Sequence, residues 1–362
     1  MPASRRGARS TGARTPRPPA VARVLERVTA TARRHEMFEP GEVVLVACSG
    51  GPDSICLLHS LHRLRRLFRI KLAVFHFDHR LRSDSDKDAG YVERQAERLG
   101  VPFVGREAMD APRSGQSVEA WARLARYAAL TSAATEVGAA RAALGHTLDD
   151  QAETVLLGLV RGGGLEAAAG MPPVASLPPL GFPAARPLIE TTRAEIQAFC
   201  GSLRLRPRHD PTNRDPRFLR NRIRHRMLPL LEQELDRDLR ATLARTAENV
   251  RGDVDYLEGL ASDAAATLVE VRDEEVRIDA PGLAALPPPI GARVIRQTVR
   301  LAGAVWGDWG ADVGAAHIGS VLDLASGRPG RRVDLPGDLM AERGKGYVRI
   351  SRSSPGRRKG ER

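Results

Sequence analysis

Between residues 43 and 160 the chain alternates short apolar runs with amphipathic stretches, and that alternation excludes most architectures at once. "VVLVA" (43–47) is apolar throughout and largely β-branched, as a strand covered on both faces must be. After it Ile55, Leu58, Leu61, Leu64 and Phe68 recur at three- and four-residue spacing, with Arg63, Arg65, Arg66 and Arg69 between them, so a helix follows. The same exchange repeats down the chain. "KLAVFHF" (71–77), "VPFVGRE" (101–107) and "AALGH" (142–146) read as further strands. "SDKDAGYVERQAERLG", "SVEAWARLARYAALTSAATEVG" and "DDQAETVLLGLV" read as helices. Strand alternating with helix predicts an α/β fold with a doubly wound parallel sheet. In such sheets ligands bind beyond the carboxyl ends of the strands.

The remainder divides by composition. Residues 1–20 are rich in Arg, Pro and Gly without an apolar core, which predicts a disordered basic tail and no secretory signal. The α/β unit is expected over 21–225. Within it, 162–183 holds too much Gly and Pro for regular structure and reads as a long loop, after which "ARPLI" and the helix "TTRAEIQAFCGSL" resume the alternation. A helical linker follows over 226–262. A smaller α+β domain is expected over 263–352, with "EEVRIDA", "RRVDLP" and "GYVRIS" as strands around a helix near 289–301. Residues 353–362 read as a second disordered tail.

Charge and cysteine usage narrow the function classes. The chain carries 56 basic and 44 acidic residues, net +12, which favours a polyanionic partner. No apolar run is long enough for a transmembrane helix. Cys48, Cys56 and Cys200 form no CxxC pair, which argues against a disulfide framework, zinc or an iron–sulfur cluster and fits a reducing cytoplasm.

Three polar clusters stand at strand ends. Ser49-Gly50-Gly51-Pro52-Asp53-Ser54 joins the first strand to its helix. A helix N-terminus leaves N–H groups unpaired, glycine admits close backbone approach, and proline is tolerated in the first turn. The segment therefore reads either as a plain capped turn or as a cradle for nucleotide phosphates. It is neither a Walker loop nor a G-x-G-x-x-G fingerprint. After the second strand come His76, Asp78 and His79, a metal trio on paper but lacking a fourth ligand, so a hydrogen-bonding set is expected. In "GHTLDDQAETVLL" Asp149, Asp150 and Glu153 share a helix face. Thr147 as N-cap and acids in the first turn explain two of these carboxylates, but Glu153 sits a turn deeper, where a cationic co-substrate or Mg²⁺ could use it. Further on, Arg220, Asn221, Arg222, Arg224, His225 and Arg226 form a basic row, either a solvated face or an RNA contact.

The sextet 49–54 resembles the pyrophosphate loop of the ATP pyrophosphatases. In order along the chain, "SGGPDS", "HFDHRLRSDSD", "EAWARLARYAAL", "GHTLDDQAETVLLGLVRGGGL", "AGM", "RPLI" and "DPTNRDPRFLRNRIRHRMLP" resemble the tRNA(Ile)-lysidine synthetase family. The segment 317–351 is similar to that family's first substrate-binding domain. The resemblance implies an adenine nucleotide α-hydrolase-like PP-loop domain. It implies an enzyme that adenylates the 2-oxygen of a cytidine in tRNA(Ile) with a CAU anticodon, then ligates L-lysine to the 2-carbon. Carried onto this chain, it implies ATP binding by Ser49, Gly50, Gly51, Pro52, Asp53 and Ser54, with Mg²⁺ as cofactor and its ligands unassigned. It implies catalysis by Asp53, Arg126, Asp150 and Glu153, lysine binding by Arg126, Asp150 and Glu153, and tRNA binding by Arg220, Arg222 and Arg224. A cytoplasmic enzyme is expected, without membrane partner, and a homodimer is left open. The chain departs from the family at Thr147, where a second histidine is common, and in the glycine-poor run "EAAAG". It is also too short for the third domain of the longest members. Two rivals remain: a sulfur-transferring relative of the 2-thiocytidine type, which should show paired cysteines, and a non-catalytic RNA-binding relative.

Overall fold

The computed structural model describes residues 17–80, 85–110, 118–177, 181–208, 215–272, 275–306 and 313–353. A six-stranded sheet forms the first half, in the order β3–β2–β1–β4–β6–β5. Its strands are β1 (Val43–Ala47), β2 (Lys71–Asp78), β3 (Phe103–Glu107), β4 (Arg141–Ala143), β5 (Val174–Leu177) and β6 (Phe182–Ala185). All pairings are parallel except β5 with β6, an antiparallel hairpin at one edge. β1 lies inside the sheet and shows why its sequence is apolar throughout. Val44 and Val46 face one layer and Leu45 the other, because successive side chains alternate across a strand.

The first layer is built by α1 (Pro19–Arg34), α2 (Pro52–Phe68) and α7 (Arg193–Ser202). Val24, Leu25, Ile55, Leu58, Leu61, Ile196 and Phe199 pack there against the sheet. α3 (Asp86–Leu99) joins its edge through Val92 and Ala96. On the opposite face α4 (Val118–Glu136) sets Tyr127, Leu130, Ala133 and Ala134 against Leu45, Phe75 and Ala142. α5 (Leu148–Val160) leaves the end of β4, followed by the short α6 (Leu165–Ala168). The expected loop over 162–183 is therefore partly regular, holding α6 and the β5–β6 hairpin. Gly158 and Gly163 let α6 fold back, since a Cβ on either would fall within 2.7 or 2.3 Å of the Ala167 Cβ.

Beyond the sheet, α8 (Leu219–Arg222) runs through a π-helical turn at Ile223–Met227 into α9 (Leu228–Leu235). α10 (Leu239–Leu268) is a single helix of 30 residues. It runs past the expected linker boundary at 262 without a break. A five-stranded antiparallel sheet follows, in the order β7–β8–β11–β10–β9. It comprises β7 (Val269–Arg272), β8 (Glu275–Asp279), β9 (Arg332–Leu335), β10 (Leu339–Arg343) and β11 (Tyr347–Arg352). α11 (Ala280–Ala285), α12 (Pro288–Trp306) and α13 (Ala315–Ser326) cover it, with Val294, Ile295, Val321 and Leu324 meeting Ile278, Ala341 and Ile350.

Two expectations shift at the edges. α1 begins at Pro19, inside the segment read as a tail, while residues 1–16 and 354–362 lie outside the described residues. Among the described residues no helix is long and apolar enough to cross a membrane.

Candidate active site at the carboxyl ends of the strands

The turn after β1 is shaped for close approach. Gly50 has φ +87°, a conformation that disfavours any side chain, and a Cβ there would meet Val92, Tyr91 and Arg208 at 3.5–3.6 Å. Gly51 is the N-cap of α2 at φ −71°, so its own conformation does not require glycine. Pro52 opens the helix, where its missing N–H would have been unpaired in any case. The two hydroxyls knit the turn rather than projecting from it. Ser54 Oγ donates to the Gly51 carbonyl at 3.0 Å and accepts the Ser49 N–H at 3.2 Å, with Ser49 Oγ 3.3 Å away. Beyond β4, Gly145 packs directly on this first turn: a Cβ there would lie 3.2 Å from the Ser54 nitrogen. Two strand ends thus converge on the start of α2, whose first-turn N–H groups have no partner within the helix.

This turn opens onto a cavity of about 340 Å³, lined by Ser49, Asp53, Asp78, Asp88, Arg126 and His146 among others. The Arg126 guanidinium stands over the Tyr127 ring, 5.3 Å from its centroid. Burial first, then the neighbouring Asp150, pushes the Asp53 carboxyl up to about 6, although Arg193 at 4.0 Å pulls the other way. Two histidines beside the cavity are held below their ordinary value. Burial, then Arg126, pushes His79 down to about 4, and burial with Arg186 pushes His146 down to about 3. His146 Nδ1 accepts from Arg186 Nε at 3.1 Å. His76 Nδ1 donates to the Cys48 carbonyl at 2.9 Å, and Asp78 accepts from the Arg80 N–H and the Ser85 hydroxyl. Two members of the trio, His76 and Asp78, thus hydrogen-bond to separate partners. His79 Nδ1 is buried and lacks a partner among the described residues.

Next to the cavity lies a compact ion cluster. Thr147 and Asp150 form a capping box at the start of α5, so the residue that departs from the family pattern has a structural task. Asp150 Oδ2 accepts from the Thr147 N–H and hydroxyl, both at 2.9 Å. Its Oδ1 accepts from Arg193 at 2.5 Å and Arg224 at 3.0 Å. Glu153 is fully buried, yet accepts four bonds of 2.7–3.0 Å from Arg193, Arg220 and Arg224. Those guanidinium groups outweigh burial and hold both carboxyls below the usual carboxylate range.

In this structure the candidate site residues also bond to one another. Every carboxylate oxygen of Asp150 and Glu153 accepts a hydrogen bond from this chain. Arg220 and Arg224 supply several of these bonds while staying partly exposed. Four apart across the π-helical turn, they share one face and turn inward onto the acids, while Arg222 turns out and donates to the Pro216 and Arg217 carbonyls. Arg193, the hub of the cluster, escaped the sequence reading. Its backbone N–H is held by Asp149 at 2.9 Å, and its position follows from the capping box Thr192–Glu195 that starts α7. That S/T-x-x-E signature was readable in "TTRAEIQ", but nothing local tied it to α5.

All three cysteines are buried free thiols, and burial raises each above its ordinary value, Cys200 to about 12. Among the described residues no group of three or more His, Cys, Asp or Glu side chains could hold a metal by itself.

The PP-loop domain family matches residues 22–231. A tRNA(Ile)-lysidine synthase from Symbiobacterium thermophilum is 37% identical over 92% of this chain and 70% of its own length. One from Streptomyces coelicolor is 39% identical over 89% of each chain. The chain belongs to the tRNA(Ile)-lysidine synthase family. Among solved structures, the U34-tRNA thiolase NcsA from Methanococcus maripaludis superposes with a TM-score of 0.54, over 64% of this chain and 80% of that one. At 17% identity this likeness speaks for the PP-loop fold alone. In this chain the turn 49–54 lies beside the carboxylates of α5, with Arg193 between Asp53 and Asp150.

Proposed function

We propose that this chain ligates L-lysine to the 2-carbon of the cytidine at the first anticodon position of tRNA(Ile) bearing CAU, changing its reading from AUG to AUA. The observation that carries the reading is the glycine turn at 49–54 opening onto a cavity beside an arginine–carboxylate cluster. The ring 2-oxygen attacks the α-phosphorus of ATP, the α–β bridging bond breaks and pyrophosphate leaves. The lysine ε-amine then attacks the 2-carbon, loses a proton, and the carbon–oxygen bond breaks to release AMP.

The turn at 49–54 would hold the phosphates by its backbone, with Ser49 and Ser54 fixing the loop. Asp53 fits a Mg²⁺ ion, because its carboxyl faces the cavity and its charge is under-compensated. Mg²⁺ is usually held by one or two carboxylates together with substrate phosphates, and when bound it would neutralise phosphate charge. Arg126 would meet a phosphate or the lysine carboxylate. Asp150 and Glu153, which aim Arg193, Arg220 and Arg224 in the free chain, would take the lysine ammonium as those partners turn to substrate. Of the proposed tRNA contacts Arg222 is the one presented outward. The buried, unionised thiols give sulfur transfer no support. We place the reaction in the cytoplasm.

The test is direct: purified protein, ATP, labelled lysine and a tRNA(Ile) transcript. Lysine should enter the tRNA with one AMP and one pyrophosphate released. ATP turnover without lysine incorporation would sink the assignment.

A further inference from the structure

On the side of the phosphate turn away from the ion cluster, α3 and the segment 204–208 enclose a groove of about 800 Å³. Among the described residues its lining carries Lys87, Arg94, Arg98, Arg204, Arg206 and Arg208, and no acid. The sequence explains the concentration. Positions 87, 91, 94 and 98 fall within one narrow face of a 3.6-residue helix, so Lys87, Arg94 and Arg98 line up with Tyr91 between them. Glu93 and Glu97 fall off that face and do not line the groove. In "RLRPR" the arginines alternate, which brings Arg204, Arg206 and Arg208 onto the other wall.

The groove adjoins the cavity. Arg208 Nε donates to Asp88 at 2.8 Å, and Asp88 lines the cavity while Arg208 lines the groove. Arg208 also donates its N–H to the Gly50 carbonyl at 2.9 Å, tying this wall to the phosphate turn itself. Beyond Arg98 the basic surface continues into a second depression bearing Arg65, Arg66, Arg69 and Lys71. From Lys87 to Arg98 the helix face alone spans about 16 Å, room for several successive phosphates. Gathering so many like charges around one concavity costs the free protein self-repulsion, which a polyanion would relieve.

We propose that this groove is a tRNA-binding site that grips the phosphate backbone of the anticodon arm flanking the modified base. The inference rests on the proposed reaction only for the identity of the RNA. The arm is the part of the tRNA that must lie beside the cavity when its first anticodon base enters. The contact is to backbone rather than bases, since the groove offers point charges and a single aromatic ring. It also supplies the phosphate contacts that Arg220 and Arg224, turned inward, do not.

The experiment compares the full-length protein with a variant carrying Arg94→Ala, Arg98→Ala and Arg206→Ala. Affinity for the tRNA(Ile) transcript, and for its isolated anticodon arm, is measured at 50 and 200 mM salt. Each lost phosphate contact removes about 0.7–0.9 from the log–log salt slope, so three should shrink the fall in affinity across this range by roughly 20- to 40-fold. The loss should appear with the arm alone, and the dissociation constant of ATP should stay unchanged. An unaltered salt slope with the tRNA overturns the groove as an RNA site. A slope lost with the whole tRNA but kept with the arm overturns the placement on the anticodon arm. If the unsubstituted protein incorporates no lysine yet the slope still falls, the reaction is wrong and the groove stands.

Discussion

Asp53 stands in the first turn of α2, where the helix dipole welcomes a carboxylate, yet burial and Asp150 lift its pKa to about 6. The sign of the consequence follows from linkage. Below about pH 3 the group is protonated in both folded and unfolded chains and costs nothing. Above pH 6 it is ionised in both, and the folded state bears the full penalty. Asp53→Asn should therefore raise stability by roughly 1–3 kcal/mol at pH 8 and by almost nothing at about pH 3. Thermal melts at the two pH values check this, and the same variant should lose ATP consumption. The neighbouring glycines make a second residue-level contrast. Gly50→Ala forces a side chain into positive φ and should lower both stability, by about 1 kcal/mol, and ATP binding. Gly51→Ala meets only Ser49 Oγ at 3.5 Å, so its melting temperature should hold. A fall at Gly51 as large as at Gly50 would show that the turn is shaped differently. None of this distinction was legible in the sequence, where the two glycines look alike. Only the backbone dihedrals separate them.

At the scale of elements, α5 matters most because it delivers two carboxylates to three arginines from α7, α8 and the π-helical turn. Glu153 is buried and fully bonded, so Glu153→Ala leaves those guanidinium groups facing one another without their shared acid. A loss of about 3 kcal/mol is expected, with Glu153→Gln losing less, measured by denaturant unfolding. A merely exposed acid would lose a few tenths. Here the pH dependence runs opposite to that of Asp53. The Asp150 and Glu153 pKa values are held low in the fold, so their stabilisation is complete above about pH 4.5 and is lost as pH falls through the folded values. Element identity was largely legible, since β1, β2, β3 and helices α2 to α5 declare themselves by local period. β4 ends at Ala143 rather than 146, because Gly145 must lie against the start of α2, a contact with no local signature. α6 and the β5–β6 hairpin were read as loop for the same reason. Their order comes from partners elsewhere in the chain. The inward turn of Arg220 and Arg224 likewise depends on a π-helical step that the basic row does not announce.

Across the whole molecule the expected division into catalytic unit, linker and second domain meets a helix that ignores it. α10 packs against α5 near its start, burying Ala247, and joins the C-terminal core near its end through Ala261. Arg251 on α10 bonds the Ala169 and Gly170 carbonyls, and Glu166 of α6 pairs with Arg293 and Arg296 of α12. A chain cut at residue 230 would strip α5 of this support. It should bind ATP poorly and melt early, whereas a cut that merely removed an independent domain would leave both unchanged. At about 1.5 Å per residue, α10 is a rod of some 45 Å that packs on α5 toward one end and on α12 toward the other. Such a rod cannot be half melted cheaply. Heat absorption on warming should therefore appear as a single peak, the two sheets failing together, where a hinged pair of domains would give two.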